Sequence, residues 1–344
     1  MTLGVIGHFG GGKNYCDGQT VKTLNLTNLL EQEMKLQVYR VDTHLNQTNK
    51  LSLLAKTLYC LLTCKHIFLL VAENGMKVYL PLLYYANKLF HRRIYHYIIG
   101  SEILALVKEN PRLVKYLNAI RVNWFEYQSG TEELRQAGVA NVETLHNFKY
   151  LTPVTAASKY VNYCNTFRFC TFSRVMEEKG ITDAVEAIAK YNHEHAENKA
   201  VLDIYGPVES KYQETLDRLI SEHRDCARYC GVAKSDGSVE VLSQYYALLF
   251  PTRWPGEGFP GTMIDAFASG IPVIATDWNA NGELIENWKQ GIIYPNSVTS
   301  GLLDSIAWSI EHQDEMNEMR ANCRKQYDLY TPESVLRAIQ DKMV

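Results

Sequence analysis

The stretch Arg253–Glu286, RWPGEGFPGTMIDAFASGIPVIATDWNANGELIE, reads as loop, helix, strand and loop. Gly and Pro crowd Trp254–Pro260, which excludes helix and mid-strand there. A helix starts near Gly261, because Met263 with Phe267 and Ile264 with Ala268 fall at i, i+4 and form one apolar face. Gly270 stands where a helix C-terminus takes glycine. The run Ile271–Ala275 is too short for a helix and suits a buried parallel strand. Two acids frame this element: Glu257 on the loop and Asp265 about one turn inside the helix. Between them Gly258, Gly261 and Thr262 leave backbone N–H groups open at a helix N-terminus, which attracts anions. Carboxylates accept hydrogen bonds from paired hydroxyls. Two of them about an anion pocket suit a ligand built as diol, phosphate, diol, such as a nucleotide sugar. Equally, Glu257 reads as a solvated loop acid and Asp265 as a helix-face acid at the positive dipole end.

Working outward, 344 residues exceed one ordinary core and predict two domains. Hydrophobic residues at 46% and charged residues at 21% are globular values. A net charge of −3 gives no support for a nucleic-acid partner. The eight cysteines contain no C-x-x-C pair and read as reduced, packed thiols of a cytoplasmic protein. His223, Cys226 and Cys230 lack a fourth ligand at a familiar spacing, so no metal is expected. The first residues lack the basic region and long apolar core of a signal peptide. The longest apolar run, Leu51–Val71, is broken by Lys56, Lys65 and His66, so no spanning helix is expected.

Both halves alternate short apolar strands with helical patterns. The first half predicts strands at Leu3–Gly7, Leu36–Val41, Ile67–Ala72, Ile94–Ile99, Val122–Tyr127 and Val142–Leu145. Thr152–Tyr163 reads as a linker. The second half predicts strands at Phe167–Phe172, Ala200–Tyr205, Ala227–Tyr229, Ala247–Phe250, Ile271–Ala275 and Gly291–Tyr294. Helices are expected between them, among others at Val78–Phe90 and Val239–Tyr246, and a last one at Pro332–Met343. This β/α alternation predicts an α/β protein of two doubly wound, parallel, Rossmann-like domains facing across a cleft. Ligands bind at the carboxyl ends of such strands.

Three further places can hold chemistry. Arg174 and Lys179 follow the strand Phe167–Phe172 and can clamp a diphosphate, Arg through its fork and Lys as a point charge. The bland reading is a polar turn in which Glu177 and Glu178 pair the cations. The stretch Gly10–Thr20, GGGKNYCDGQT, follows the first strand and opens a helix, as phosphate loops do. It matches no named phosphate motif, and it reads as a Gly-rich lip or a simple connection. His96 lies inside a strand, where a satisfied core histidine competes with a catalytic one. Asn147 follows the strand Val142–Leu145, near a hinge or in an ordinary turn.

The ordered set Ser173-Arg174, Glu178-Lys179-Gly180, Gly206-Pro207, Gly231-Val232, Phe250-Pro251-Thr252, Glu257-Gly258-Phe259, Asp265 and Gly270–Thr276 resembles a family 4 glycosyltransferase of the GT-B fold. The resemblance covers about the whole chain and is strongest from Arg174 to Pro295. It implies transfer of a hexosyl-type sugar from a nucleotide-diphosphate donor, with retention and without a metal or other cofactor. It implies that Arg174 and Lys179 hold the diphosphate and that Glu257, the first acid of an E-x7-E motif, contacts the donor sugar. Asp265 stands where that motif has its second Glu, which contacts the ribose, on an arm shorter by one carbon. Phe259, Pro260, Gly261 and Thr262 would meet sugar and phosphate, Gly231 and Val232 the base, and the Gly11–Gly12 lip the donor from the other domain. His96 falls near a family histidine that approaches the sugar. The implied organisation is an acceptor-side domain at 1–155, a donor-side domain at 156–328, and a helix at 329–344 crossing back to the first. The implied acceptor is a glycan or lipid-linked chain in cell-surface polysaccharide synthesis. Leu53–Lys65 reads as a peripheral membrane contact, or equally as a buried helix. Alternatives are a non-catalytic GT-B-like subunit of another transferase and a sugar-nucleotide epimerase.

Overall fold

The structure, a computed structural model, describes residues 2–12, 17–46, 49–155, 160, 165–195, 199–234, 237–298 and 300–343. The chain forms two compact units. The first comprises the chain through Tyr150, the short segment Pro255–Phe259 and the residues from Tyr330 onward. The second comprises Leu151–Trp254 and Pro260–Leu329.

The first unit holds strands β1 (Thr2–Gly7), β2 (Gln37–Asp42), β3 (His66–Leu70), β4 (Arg93–Tyr97), β5 (Val122–Phe125) and β6 (Val142–Thr144). They pair in the order β2-β1-β3-β4-β5-β6, all parallel. Every residue of β3 is buried, as both faces of a parallel sheet require. Phe68, Tyr95 and Trp124 stack on one face, with ring centroids 4.8 Å and 5.9 Å apart along the row. The helix Pro332–Met343 adds Val335 and Ile339 to that core. Arg93 and Arg121 donate to its terminal carbonyls at Met343 and Lys342, 3.0 Å and 2.7 Å away, which suits the negative end of a helix.

The second unit holds β7 (Thr166–Phe172), β8 (Lys199–Tyr205), β9 (Ala227–Tyr229), β10 (Ala247–Phe250), β11 (Val273–Thr276) and β12 (Gly291–Tyr294). Their order is β12-β11-β10-β7-β8-β9, again all parallel. Chain order thus reverses between β7 and β10 here, and between β1 and β3 in the first unit. The core gathers Phe167, Phe169, Ile188, Leu202, Tyr246 and Ile274. The helix Gly261–Ala268 is buried from Met263 to its end.

Strand positions follow the sequence reading closely, and the differences are at helix ends. The helix expected from Val78 starts at Glu73, whose acid lies in the first turn and pairs with Lys77 at 2.6 Å. The helix expected over Val239–Tyr246 spans only Ser238–Leu242, because the Tyr246 N–H is taken by the Arg168 carbonyl ahead of β10. The short helix Asn281–Leu284 was not anticipated.

Candidate functional site

In an open parallel sheet the loops after the two strands at the order reversal splay apart and leave a crevice. In the second unit those loops begin at Ser173, after β7, and at Pro251, after β10. They are tied to each other. The Arg253 N–H donates to the Glu178 carbonyl at 2.7 Å. Gly180 takes φ +70°, and a Cβ there would lie 2.2 Å from the Pro251 carbonyl oxygen, so only glycine allows this approach. The result is one aromatic platform with two cations. The Arg174 guanidinium lies 4.6 Å from the Trp254 ring centroid, and the Lys179 ammonium lies 4.9 Å from the same centroid and 5.6 Å from that of Phe250. The negative face of the indole favours both cations and limits their motion. Arg174 is exposed and Lys179 is buried. Trp254 escaped the sequence reading. Its signal was a large aromatic in a Gly/Pro-rich loop directly after a buried strand.

The helix Gly261–Ala268 starts at the same end of the sheet. The Thr262 hydroxyl donates to the Phe172 carbonyl at 2.5 Å, pinning the first turn of the helix to the end of β7. Pro260 precedes the helix in extended conformation, and Gly261 opens it half-buried. Asp265 is buried, and its Oδ1 accepts from the Ser238 hydroxyl at 2.9 Å. Asp265 therefore holds the start of the helix Ser238–Leu242, and Ser238 is a second residue the sequence reading missed. Gly231 and Val232 form an open rim: a Cβ on Gly231 would meet nothing within 4 Å, and Val232 is exposed.

Glu257 belongs to the first unit, within Pro255–Phe259, whereas Arg174 and Lys179 belong to the second. The sequence reading had placed all of 156–328 in one domain. Hydrogen bonds account for the segment's allegiance. The Phe259 N–H donates to Glu126 Oε2 at 3.2 Å, and the Ser101 hydroxyl donates to the Pro255 carbonyl at 2.9 Å. The Asn147 amide reaches the Phe259 carbonyl at 3.4 Å. The Phe259 ring lies edge-on to Tyr330 and His146, with centroids 5.0 Å and 6.0 Å away. Glu257 itself is buried. Glu126 in turn pairs with Lys22 at 2.9 Å, and both are buried. Burial pushes the Lys22 pKa down, with Glu126 opposing the shift. Burial also raises the pKa of Glu102 nearby, with Glu73, Glu126 and Glu257 adding to the rise.

His96 lies wholly inside β4, its Nδ1 3.1 Å from Asn123 Oδ1. Burial lowers its pKa to about 4, so it is neutral near pH 7. The Gly-rich lip forms one tight turn at Gly10–Gly12. Asp42 organises it, accepting from the N–H groups of Phe9 and Gly11 at 2.9 Å each. Lys13–Cys16, in the middle of that motif, lie outside the described residues. Beside the turn, His44 Nδ1 lies 3.2 Å from His8 Nε2, and His8 Nδ1 lies 2.7 Å from the Thr20 hydroxyl. Among the described residues no group of three His, Cys, Asp or Glu is placed to hold a metal ion.

Residues 166–312, most of the second unit, match the family model "Glycosyl transferases group 1". The GtfA subunit of the UDP-N-acetylglucosamine–peptide N-acetylglucosaminyltransferase of Streptococcus pneumoniae is 29% identical over 189 residues, 53% of this chain and 36% of that protein. Chitobiosyldiphosphodolichol beta-mannosyltransferase of Candida albicans is 27% identical over 88 residues, 26% of this chain and 19% of that protein. The chain thus spans about a third or less of the length of these relatives. Among solved structures, HepE of Anabaena in complex with UDP and glucose superposes with a TM-score of 0.74 at 15% identity, over 100% of this chain and 99% of that one. Two six-stranded parallel sheets and this end-to-end likeness give the chain the GT-B fold.

Proposed function

We propose that this protein is a glycosyltransferase that moves a hexosyl-type sugar from a nucleoside-diphosphate sugar to a glycan or lipid-linked acceptor. The observation that carries the reading is the convergence of Arg174 and Lys179 on Trp254 at the order reversal of the second sheet. A pair of cations past the carboxyl end of β7, seated on an aromatic past β10, with a helix N-terminus pinned to β7, fits a diphosphate. In the reaction the bond between the anomeric carbon and the diphosphate oxygen breaks, and the nucleoside diphosphate leaves with the electron pair. The acceptor hydroxyl oxygen bonds to the anomeric carbon on the same face, and its proton passes to the departing phosphate oxygen. Charge grows on the diphosphate as it leaves. Arg174, Lys179 and the N–H groups at Gly261 and Thr262 stabilise it without recourse to a metal. Glu257 contacts the donor sugar, and Asp265, oriented by Ser238, serves the ribose directly or through water. His96, neutral within β4, belongs to the fold. The UDP bound by HepE and the UDP-linked donor named for GtfA make uridine diphosphate the first nucleotide to try. A thermal-shift panel of nucleoside diphosphates and nucleotide sugars tests the reading, since a ligand bound only by the native state raises its melting temperature. One nucleotide is expected to do so, and its sugar adduct to support transfer. A panel with no shift overturns the proposal.

The helix Lys50–Thr63 supports a membrane-side acceptor in cell-surface polysaccharide synthesis, at the cytoplasmic face. Leu53, Thr57, Cys60 and Leu61 are buried, but Leu51, Leu54, Leu58 and Leu62 are 81%, 58%, 48% and 55% exposed on the outer face. The helix carries Lys50 and Lys56 and no acid, and Lys65 follows it. An apolar stripe with lysines fits the surface of an anionic bilayer. No helix among the described residues is long and apolar enough to cross a membrane. Co-sedimentation with phosphatidylglycerol vesicles at low salt, lost in Leu54→Glu/Leu58→Glu, is the expected result. Absence of wild-type co-sedimentation refutes the contact.

A further inference from the structure

Glu257 is held by a carboxylate that belongs to none of the motifs. Glu126, one residue past β5, is 5% exposed, and Lys22, on the helix Gly18–Asn28, is 3% exposed. Glu126 Oε1 lies 2.9 Å from Lys22 Nζ. Its other oxygen, Oε2, accepts the Phe259 N–H at 3.2 Å and lies 2.7 Å from where a Cβ on Gly258 would be. The carboxylate therefore abuts the backbone of both residues that follow Glu257, and a side chain at position 258 would have to push that oxygen aside. Lys22 is itself fixed, donating to the Ile98 carbonyl at 2.5 Å with its ammonium 3.6 Å from the Tyr97 ring centroid.

A buried ion pair is a poor way to gain stability, because desolvation consumes most of the Coulomb attraction and apolar residues of the same size serve as well. What apolar residues cannot do is present a rigid acceptor to a backbone N–H. Lys22 holds the Glu126 carboxylate in place, and Glu126 fixes the turn that carries Glu257. We infer that Lys22 and Glu126 are positioning residues for Glu257, acting through the backbone of Gly258 and Phe259 and touching no substrate themselves. The inference rests on the reading of Glu257 as the donor-sugar contact.

The nucleotide is held in that reading by Arg174 and Lys179 of the second unit, so loss of the clamp acts on turnover and not on nucleotide affinity. Three variants test this: Glu126→Gln, the neutral pair Lys22→Met/Glu126→Gln, and Gly258→Ala, which leaves the ion pair in place and crowds its carboxylate. Each is expected to bind uridine diphosphate within about threefold of the wild type while kcat falls tenfold or more, since misplacing a reacting group by about 1 Å costs up to ~10²-fold. Donor KM moves little. Hydrogen–deuterium exchange of the peptide 255–262 is expected to accelerate in all three, because a neutral amide oxygen or a displaced carboxylate holds the Phe259 N–H more weakly than the carboxylate fixed by Lys22. A folded variant with faster exchange and wild-type kcat overturns the positioning role, and unchanged exchange in folded variants overturns the clamp. If the wild type transfers no sugar from any nucleotide, the reading of Glu257 falls, and the positioning role falls with it, while the exchange result still decides whether Glu126 holds the segment. If Glu126→Gln does not fold, Gly258→Ala carries the same two measurements.

Discussion

Replacing Trp254 with Leu removes the platform beneath Arg174 and Lys179 and leaves both cations in the chain. The indole is also the part of Trp254 that the fold needs least. Its backbone carbonyl accepts from Trp278 Nε1 at 2.9 Å and its N–H donates to the Thr252 hydroxyl at 3.3 Å, and both bonds survive the substitution. With ring centroids 4.6 Å and 4.9 Å away, the two cations are pre-ordered before a ligand arrives. Without the ring each must be ordered on binding, at about 0.5–1.5 kcal/mol per long side chain. Two such chains give about 1–3 kcal/mol, or roughly 5- to 140-fold in Kd at 1.4 kcal/mol per decade. Trp254→Phe keeps an aromatic face and is expected to lose less, since Phe offers the weaker cation–π partner. Isothermal titration with uridine diphosphate at fixed ionic strength, beside a thermal melt, measures the effect. A Trp254→Leu protein with the wild-type melting temperature and the wild-type Kd refutes the argument that the indole pre-organises the diphosphate clamp.

Arg174→Ala and Lys179→Ala are each expected to lower turnover at least about tenfold, since each removes a charge-assisted bond of about 1.5–3 kcal/mol. Retained turnover in both, measured by nucleotide release, contradicts the clamp. Ser238→Ala takes a donor from buried Asp265, so the melt should reveal a loss of about 1–3 kcal/mol. An unaltered melting temperature means that Ser238 does not hold Asp265. His96 ties stability to pH. Its pKa falls from 6.5 to about 4 on folding. The unfolded state therefore binds the proton more readily. The stabilisation is fully present above pH 6.5 and is lost as pH falls towards 4. The full effect is roughly 3 kcal/mol at about 1.4 kcal/mol per pH unit. His96→Phe should flatten the acid side of a melting-temperature profile over that window, and an unchanged profile counts against a neutral buried His96.

The two sheets were legible because a parallel strand buried on both faces writes itself as a short apolar run, as in Ile67–Leu70 and Val273–Ala275. Pro111 separates the helices Glu102–Glu109 and Arg112–Leu117, as a proline that cannot continue a helix does. Arg174 and Lys179 could be picked out because they sit a few residues past such a run, where the topology opens a crevice. Trp254 was harder. Nothing local says that an aromatic after β10 will lie under cations after β7, since that meeting depends on which strands are neighbours. Lys22 and Glu126 were invisible for the same reason at longer range. A lysine amid Thr20–Leu26 and an acid beside Tyr127 look solvated in the sequence, and only the closure of α/β layers around β4 and β5 buries them together. That Pro255–Phe259 groups with the first unit was not legible, because its neighbours on both sides belong to the second unit and a chain reader assigns domains by contiguity.

The helix Pro332–Met343 gives Val335 and Ile339 to the core that holds Phe68, Tyr95 and Trp124. A ribosome delivers those pieces far apart in time. The six strands of the first unit emerge early, yet the acceptor on Glu126 waits for Phe259, and the aromatic row waits for the last turns of the chain. The first unit therefore lacks those two contributions while everything the second unit needs, Leu151–Trp254 and Pro260–Leu329, is translated. Domains generally complete in the order they are made. Here the unit begun first is completed only after the second has been made.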